Sequence, residues 1–167
     1  LKILVAIHDF FDSPHSYGDN FYPDFLVWLD RLGEISNSTD YDWYIKTHRD
    51  PIANPDQILA QFLDKYPKFQ ILDKDIDHHT LIQQGIDLAL TVYGTIGMEY
   101  PYLGVPVINA SQNNPHVSYN FSFTPSSKDE YEEILKSLED FEPEINLEEI
   151  VEYYFMAHIY ELQSLFY

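Results

Sequence analysis

The sequence predicts an α/β fold in three layers, with helices on both faces of a parallel sheet of about five strands. Three observations predict it. Short apolar runs, such as residues 2–7 (KILVAI) and 105–108 (VPVI), suit strands buried on both faces. Between the runs lie stretches with apolar residues at helical spacing, such as Phe21, Phe25, Trp28, Leu29 and Leu32. The two patterns alternate along the chain, which is the order of successive βαβ units, each right-handed by the crossover rule. Together they describe a Rossmann-like α/β/α domain over residues 1–167.

The first strand, 2–7, runs into a polar loop punctuated by Pro14 and Gly18. Asn20 can cap a helix reaching about Leu32, with Pro23 in its first turn, and residues 33–40 read as loop. Residues 41–47 (YDWYIKT) make the second strand. Asn54-Pro55-Asp56-Gln57 opens a helix that Pro67 ends. A third strand covers 69–72, a short helix 80–85, and a fourth strand 86–92. Residues 94–97 (GTIG) form a turn and residues 98–103 a helix, with Gly104 suited to its left-handed end. A fifth strand covers 105–109. Ser126 or Ser127 caps a helix over 128–138, and Asn146 caps a last helix over 147–166. Ile150, Val151, Tyr154, Phe155, His158, Ile159, Leu162 and Leu165 give that last helix an apolar stripe wide enough for a partner beyond its own sheet.

Composition excludes several functions. Nine Lys and Arg against 28 Asp and Glu give a formal net charge of -19, which disfavours nucleic acid and anionic membranes as partners. No apolar run is long enough for a transmembrane segment. Cysteine is absent, so disulfides and thiolate metal sites are unavailable, as suits a reducing compartment. The start at Leu1, already within a core strand, suggests a fragment of a longer chain.

In open parallel sheets ligands bind at the carboxyl ends of the strands. Every polar cluster here follows a strand. After the first come His8, Asp9, Asp12 and His15, all metal-ligand types but in no recognised metal spacing, so no metal is assigned. After the second come Lys46, His48 and Arg49, two cations and a histidine in a chain that has few cations, followed by Asp50. His78 and His79 follow the third strand, and Asn114-Pro115-His116 the fifth. The fourth is followed by Gly94-Thr95-Ile96-Gly97. Backbone N–H groups of a strand–turn–helix can hold phosphate, and Glu99, on the first turn of the helix, can accept hydrogen bonds from two sugar hydroxyls.

Glu99, Gly104 and Pro106, in the order E-x4-G-x-P-V-I, resemble the donor-binding motif of GT-B glycosyltransferases; UDP-GlcNAc 2-epimerases carry a similar segment. The Lys46–His48 stretch resembles the K-x-H-P segment of capsule-polysaccharide-type transferases, although Arg49 and Asp50 here separate His48 from Pro51. The resemblance implies one half of a GT-B fold, the carboxyl-terminal domain that binds a UDP- or CMP-linked sugar and passes it to a glycan or lipid-linked acceptor, without metal or cofactor. A second Glu found earlier in many retaining members is replaced by the Thr91–Tyr93 neighbourhood, which points to inversion. By the same resemblance Glu99 holds the ribose and the Gly94, Thr95, Ile96 and Gly97 turn faces the phosphates. Lys46 and His48 steady the leaving group, with His116 nearby. Candidates for catalytic roles are His48, Asp12 and His15. The implied setting is the cytoplasm, with an amino-terminal domain, absent from this chain, packed on helix 147–166. An epimerase-like isomerase and a non-catalytic interaction domain are the alternatives.

Overall fold

The computed structural model describes residues 1–48 and 51–160. Five strands, β1 (Lys2–Ala6), β2 (Asp42–Lys46), β3 (Phe69–Ile71), β4 (Leu88–Thr91) and β5 (Val107–Asn109), form one parallel sheet in the order β3-β2-β1-β4-β5. Register runs from Lys2 opposite Asp42 to Ala6 opposite Lys46, and on the other side of β1 from Ile3 opposite Leu88 to Val5 opposite Leu90. The chain first builds outward from β1 to β3, then returns to β4 and builds the other way. The connections therefore reverse between β1 and β4.

Alternate residues of each strand face opposite layers. Ile3, Val5, Trp43, Ile45, Leu88 and Leu90 join one core with side chains of α1 (Phe25–Ser36), α2 (Asp56–Lys65) and α5 (Lys128–Leu135). Leu4, Ala89 and Val107 face the other layer, with α3 (His78–Gln83) and α4 (Ile96–Tyr102). This is the three-layer Rossmann-like arrangement expected from the alternating patterns. A last helix, α6 (Leu147–Tyr154), packs against α4 and continues as wider π-helical turns over Phe155–Tyr160. No helix among the described residues is long and apolar enough to cross a membrane.

Several boundaries differ from expectation for physical reasons. Helix α1 begins at Phe25 because Asp24, not Asn20, caps it, its carboxylate accepting from Val27 N at 2.7 Å. It continues through Gly33 to Ser36, into the stretch expected to be loop. The Tyr66 ring sits 2.3 Å from where a Gly33 Cβ would stand, so the missing side chain is a packing requirement and not a break. Helix α3 starts two residues early, capped by Asp77 Oδ1 at 2.9 Å from Thr80 N. Helix α4 starts at Ile96, and α5 stops at Leu135, followed by a single tight turn at Leu138–Asp140. The part of the expected last helix beyond Tyr160 lies outside the described residues.

Candidate functional site

The loops after β1, β2, β3 and β4 surround a cavity of about 760 Å³ at the carboxyl edge of the sheet. It lies where the connections reverse between β1 and β4, the usual ligand crevice of an open parallel sheet. His8, Asp12, Lys46, His48, Thr95 and Glu99 are among the side chains that line it. Arg49 and Asp50 lie outside the described residues.

Most backbone N–H groups of the β4–α4 turn are paired within the fold. Tyr93 N donates to His8 Nε2 at 3.3 Å, and Gly94 N donates to Thr91 Oγ1 at 3.1 Å. Gly97 N, Met98 N and Glu99 N are taken by the carbonyls of Gly94 and Thr95. Thr95 N and Ile96 N meet no acceptor among the described residues. The expectation that Gly94 offers its own N–H is therefore corrected. Gly94 lacks a side chain because Thr91 Oγ1 lies 2.8 Å from where its Cβ would be. The donors open to a ligand are the next two. Glu99 is exposed one turn further along α4, on the cavity rim.

Gly97 and His116 leave the site together. A Cβ on Gly97 would lie 2.6 Å from His116 Cε1, so the two residues face each other inside the fold. His116 is only 2 % exposed, its ring centroid 5.2 Å from that of Phe121 and 5.9 Å from that of Tyr153. Burial lowers its pKa to about 4. Neither residue lines the cavity: Gly97 faces inward from α4 toward His116, and His116 lies on the loop after β5. His15 is exposed on the β1–α1 loop, also outside the cavity lining.

Lys46 is buried at the end of β2, its Nζ donating to the carbonyls of Asp73 (3.3 Å) and Lys74. Its charge reaches the cavity while it also secures the β3–α3 loop. His48 is exposed at the rim. Asp9 accepts from Phe11 N at 2.9 Å and from Ile52 N, tying the first loop to the second. Asp12 accepts from Ser13 N at 2.7 Å. These two acids thus organise loops, and no group of three metal-ligand side chains converges among the described residues.

Three residues matter more than their sequence signals suggested. His8 lies in the cavity wall, stacked on Phe25 with centroids 4.6 Å apart and against Tyr93 at 4.5 Å. Burial lowers its pKa to about 4, against the opposing pull of Asp12. Tyr93 closes one side, its hydroxyl donating to the Ser13 carbonyl at 2.6 Å. His78 Nδ1 lies 2.8 Å from the hydroxyl of fully buried Tyr100. Burial lowers the His78 pKa, partly offset by the neighbouring Glu99. In the sequence His8 stood out only as a metal-ligand type at a strand end, His78 as one of two histidines able to reach the site, and Tyr93 carried no signal of its own.

An apolar groove of about 800 Å³ adjoins the cavity, between α4 and α6. It shares Asp77, His78 and Glu99 with the cavity, and Tyr102, Val151, Tyr154 and Ile159 expose apolar surface along it. No protein-family model and no curated protein matches this chain.

Proposed function

We propose that this chain is the nucleotide-sugar donor-binding half of a GT-B-type glycosyltransferase, acting on a glycan or lipid-linked acceptor. The observation that carries the reading is the cavity at the strand reversal, which sets two open backbone donors, Thr95 N and Ile96 N, one helical turn from the exposed Glu99. A phosphate suits the first and a ribose diol the second. In the transfer, an acceptor hydroxyl attacks the anomeric carbon and the bond from that carbon to the phosphate oxygen breaks. The nucleotide leaves with the negative charge, which the turn donors and the charge of Lys46 stabilise, with His48 at the rim. The acceptor proton passes to a base outside this chain. The exposed apolar face of α6 and its following turns supports a second domain packing there.

Thermal shift with UDP, CMP, GDP and ADP tests the proposal. A ligand at about one hundred times its dissociation constant stabilises by about 2.7 kcal/mol. The expected result is a shift with one base and none with the others, and no sugar transfer by the isolated chain. No shift with any nucleotide at millimolar concentration favours an interaction domain. Epimerisation of a UDP-sugar without acceptor, by an enzyme containing this domain, favours the isomerase.

A further inference from the structure

We infer that His8 is a positioning residue for the donor diphosphate, presenting one fixed N–H, on Nδ1, to a phosphate oxygen at the cavity wall. The inference rests on the donor-binding proposal and adds a side chain that the motif resemblance does not include.

His8 lies two residues beyond the end of β1 and abuts the β4–α4 turn, with its ring 3.7 Å from the position a Gly94 Cβ would take. Its Cε1 and Nε2 edge thus meets the turn at Gly94, and His8 lines the same cavity as Thr95 and Ile96.

The Phe25 ring lies nearly parallel to that of His8, at 12°, and Tyr93 packs on it as well, so the imidazole has little freedom to turn. Its tautomer follows from the partner on Nε2. Tyr93 N is a backbone amide, which can only donate, so Nε2 must be the unprotonated nitrogen. Thr91 Oγ1, 3.3 Å away, agrees: it accepts from Gly94 N and can direct its own proton to Nε2. The remaining proton sits on Nδ1, and no acceptor for it is found among the described residues. Burial keeps the ring neutral, so this donor persists without needing a counter-charge. An unpartnered N–H on a residue that lines the same cavity as the turn donors suits an anionic oxygen.

Two substitutions separate the nitrogens. His8→Asn places an amide N–H near the Nδ1 position, and His8→Gln places its amide near Nε2, where its oxygen can still accept from Tyr93 N. The probes are UDP, GDP, ADP, CMP, the matching nucleosides and inorganic pyrophosphate, measured by calorimetry. For the nucleotide that binds the wild type, His8→Gln should weaken affinity about tenfold or more. His8→Asn should stay within about threefold, and affinity for the nucleoside without phosphates should not change in either. Melting temperatures confirm that each variant is folded. If His8→Gln is unfolded, a folded His8→Asn that has lost nucleotide binding still overturns the inference. Nucleotide binding untouched by His8→Gln, or nucleoside binding weakened as much as nucleotide binding, overturns the role of His8 alone. A wild type that binds neither nucleotide nor pyrophosphate overturns the donor-binding proposal as well.

Discussion

At the scale of single residues, Glu99 and His116 make opposite forecasts. Glu99 is exposed on the rim of the cavity and accepts no hydrogen bond from the described protein groups, so its carboxylate is available to a ligand. Glu99→Gln keeps the shape and removes the charge. A hydrogen bond to a charged group is worth about 1.5–3 kcal/mol, so nucleotide affinity should fall roughly ten- to hundredfold with stability nearly unchanged. A deoxyribonucleotide should bind the wild type weakly and lose little more in the variant; equal losses for both sugars would remove Glu99 from the site. His116 acts on stability instead. An unfolded histidine titrates near 6.5, whereas burial holds this one at about 4. As pH falls the unfolded chain takes up the proton first. The contribution of His116 is therefore complete above pH 6.5 and is lost as pH falls towards 4, by about 1–3 kcal/mol. Many carboxylates titrate in the same window, so the measurement is a difference: urea melts of wild type and His116→Gln between pH 7 and 4.5. The variant should lose less stability on acidification, and parallel curves would contradict the assignment.

At the scale of elements, the β4–turn–α4 unit shows what a sequence can and cannot place. Its strand was legible because LALT has no polar break and every residue of it is buried. Its helix end was legible because Gly104, at φ 83°, adopts a backbone conformation that favours glycine. The edge rule brought the loops after β1, β2, β3 and β4 to one cavity, but it expected the loop after β5 there as well, and that loop does not line it. Direction within each loop was not legible. Gly94 and Gly97 look alike in sequence, yet Gly94 makes room for Thr91 in the turn and Gly97 makes room for His116 in the core. Only the packing of α4 on β5 distinguishes them. The helix starts failed for a related reason. Asn20 and Asp24 are both good caps, and the choice fell to the residue whose helix then buries Phe25, Trp28 and Leu29. Gly97→Ala tests the corrected role. The added methyl would meet a ring already hemmed in by Phe121 and Tyr153, and overpacking of this kind costs about 1–3 kcal/mol. Chemical denaturation should show that loss. Nucleotide affinity in the folded variant should change far less than in Glu99→Gln, whereas a stable Gly97→Ala that cannot bind nucleotide would return Gly97 to the phosphate site.

At the scale of the whole molecule, charge governs how the site meets its ligand. With 28 acids against nine Lys and Arg, the long-range field repels a nucleotide, and Asp9, Asp12, Asp75, Asp77 and Glu99 extend that excess into the cavity itself. Affinity must then come from short-range donors, such as Thr95 N and Ile96 N, and from the local charge of Lys46. The ion pairs do little to relieve the imbalance. Arg31 bridges exposed Glu34 and buried Glu132, and Lys65 meets Asp30 at 2.7 Å. The Glu34 and Asp30 pairs are exposed, where pairs contribute little, and together these contacts engage only three of the 28 acids. Salt separates the long-range from the short-range terms. Raising ionic strength from about 0.01 M to 0.1 M shortens the screening length from about 30 Å to about 10 Å. Self-repulsion between distant carboxylates should weaken more than contacts made at hydrogen-bond distance. The melting temperature should therefore rise, by about 2–4 °C for each kcal/mol of repulsion relieved. Nucleotide association should become faster over the same range, because the approaching anion meets a weaker opposing field. A protein that captured nucleotides through a basic patch would behave in the opposite way, its association slowing as salt screens the attraction. Stopped-flow association rates and melting curves at the two ionic strengths measure both effects. Association that slows while the melting temperature rises would mean that the cations at the β2 end, rather than the backbone of the β4–α4 turn, dominate capture.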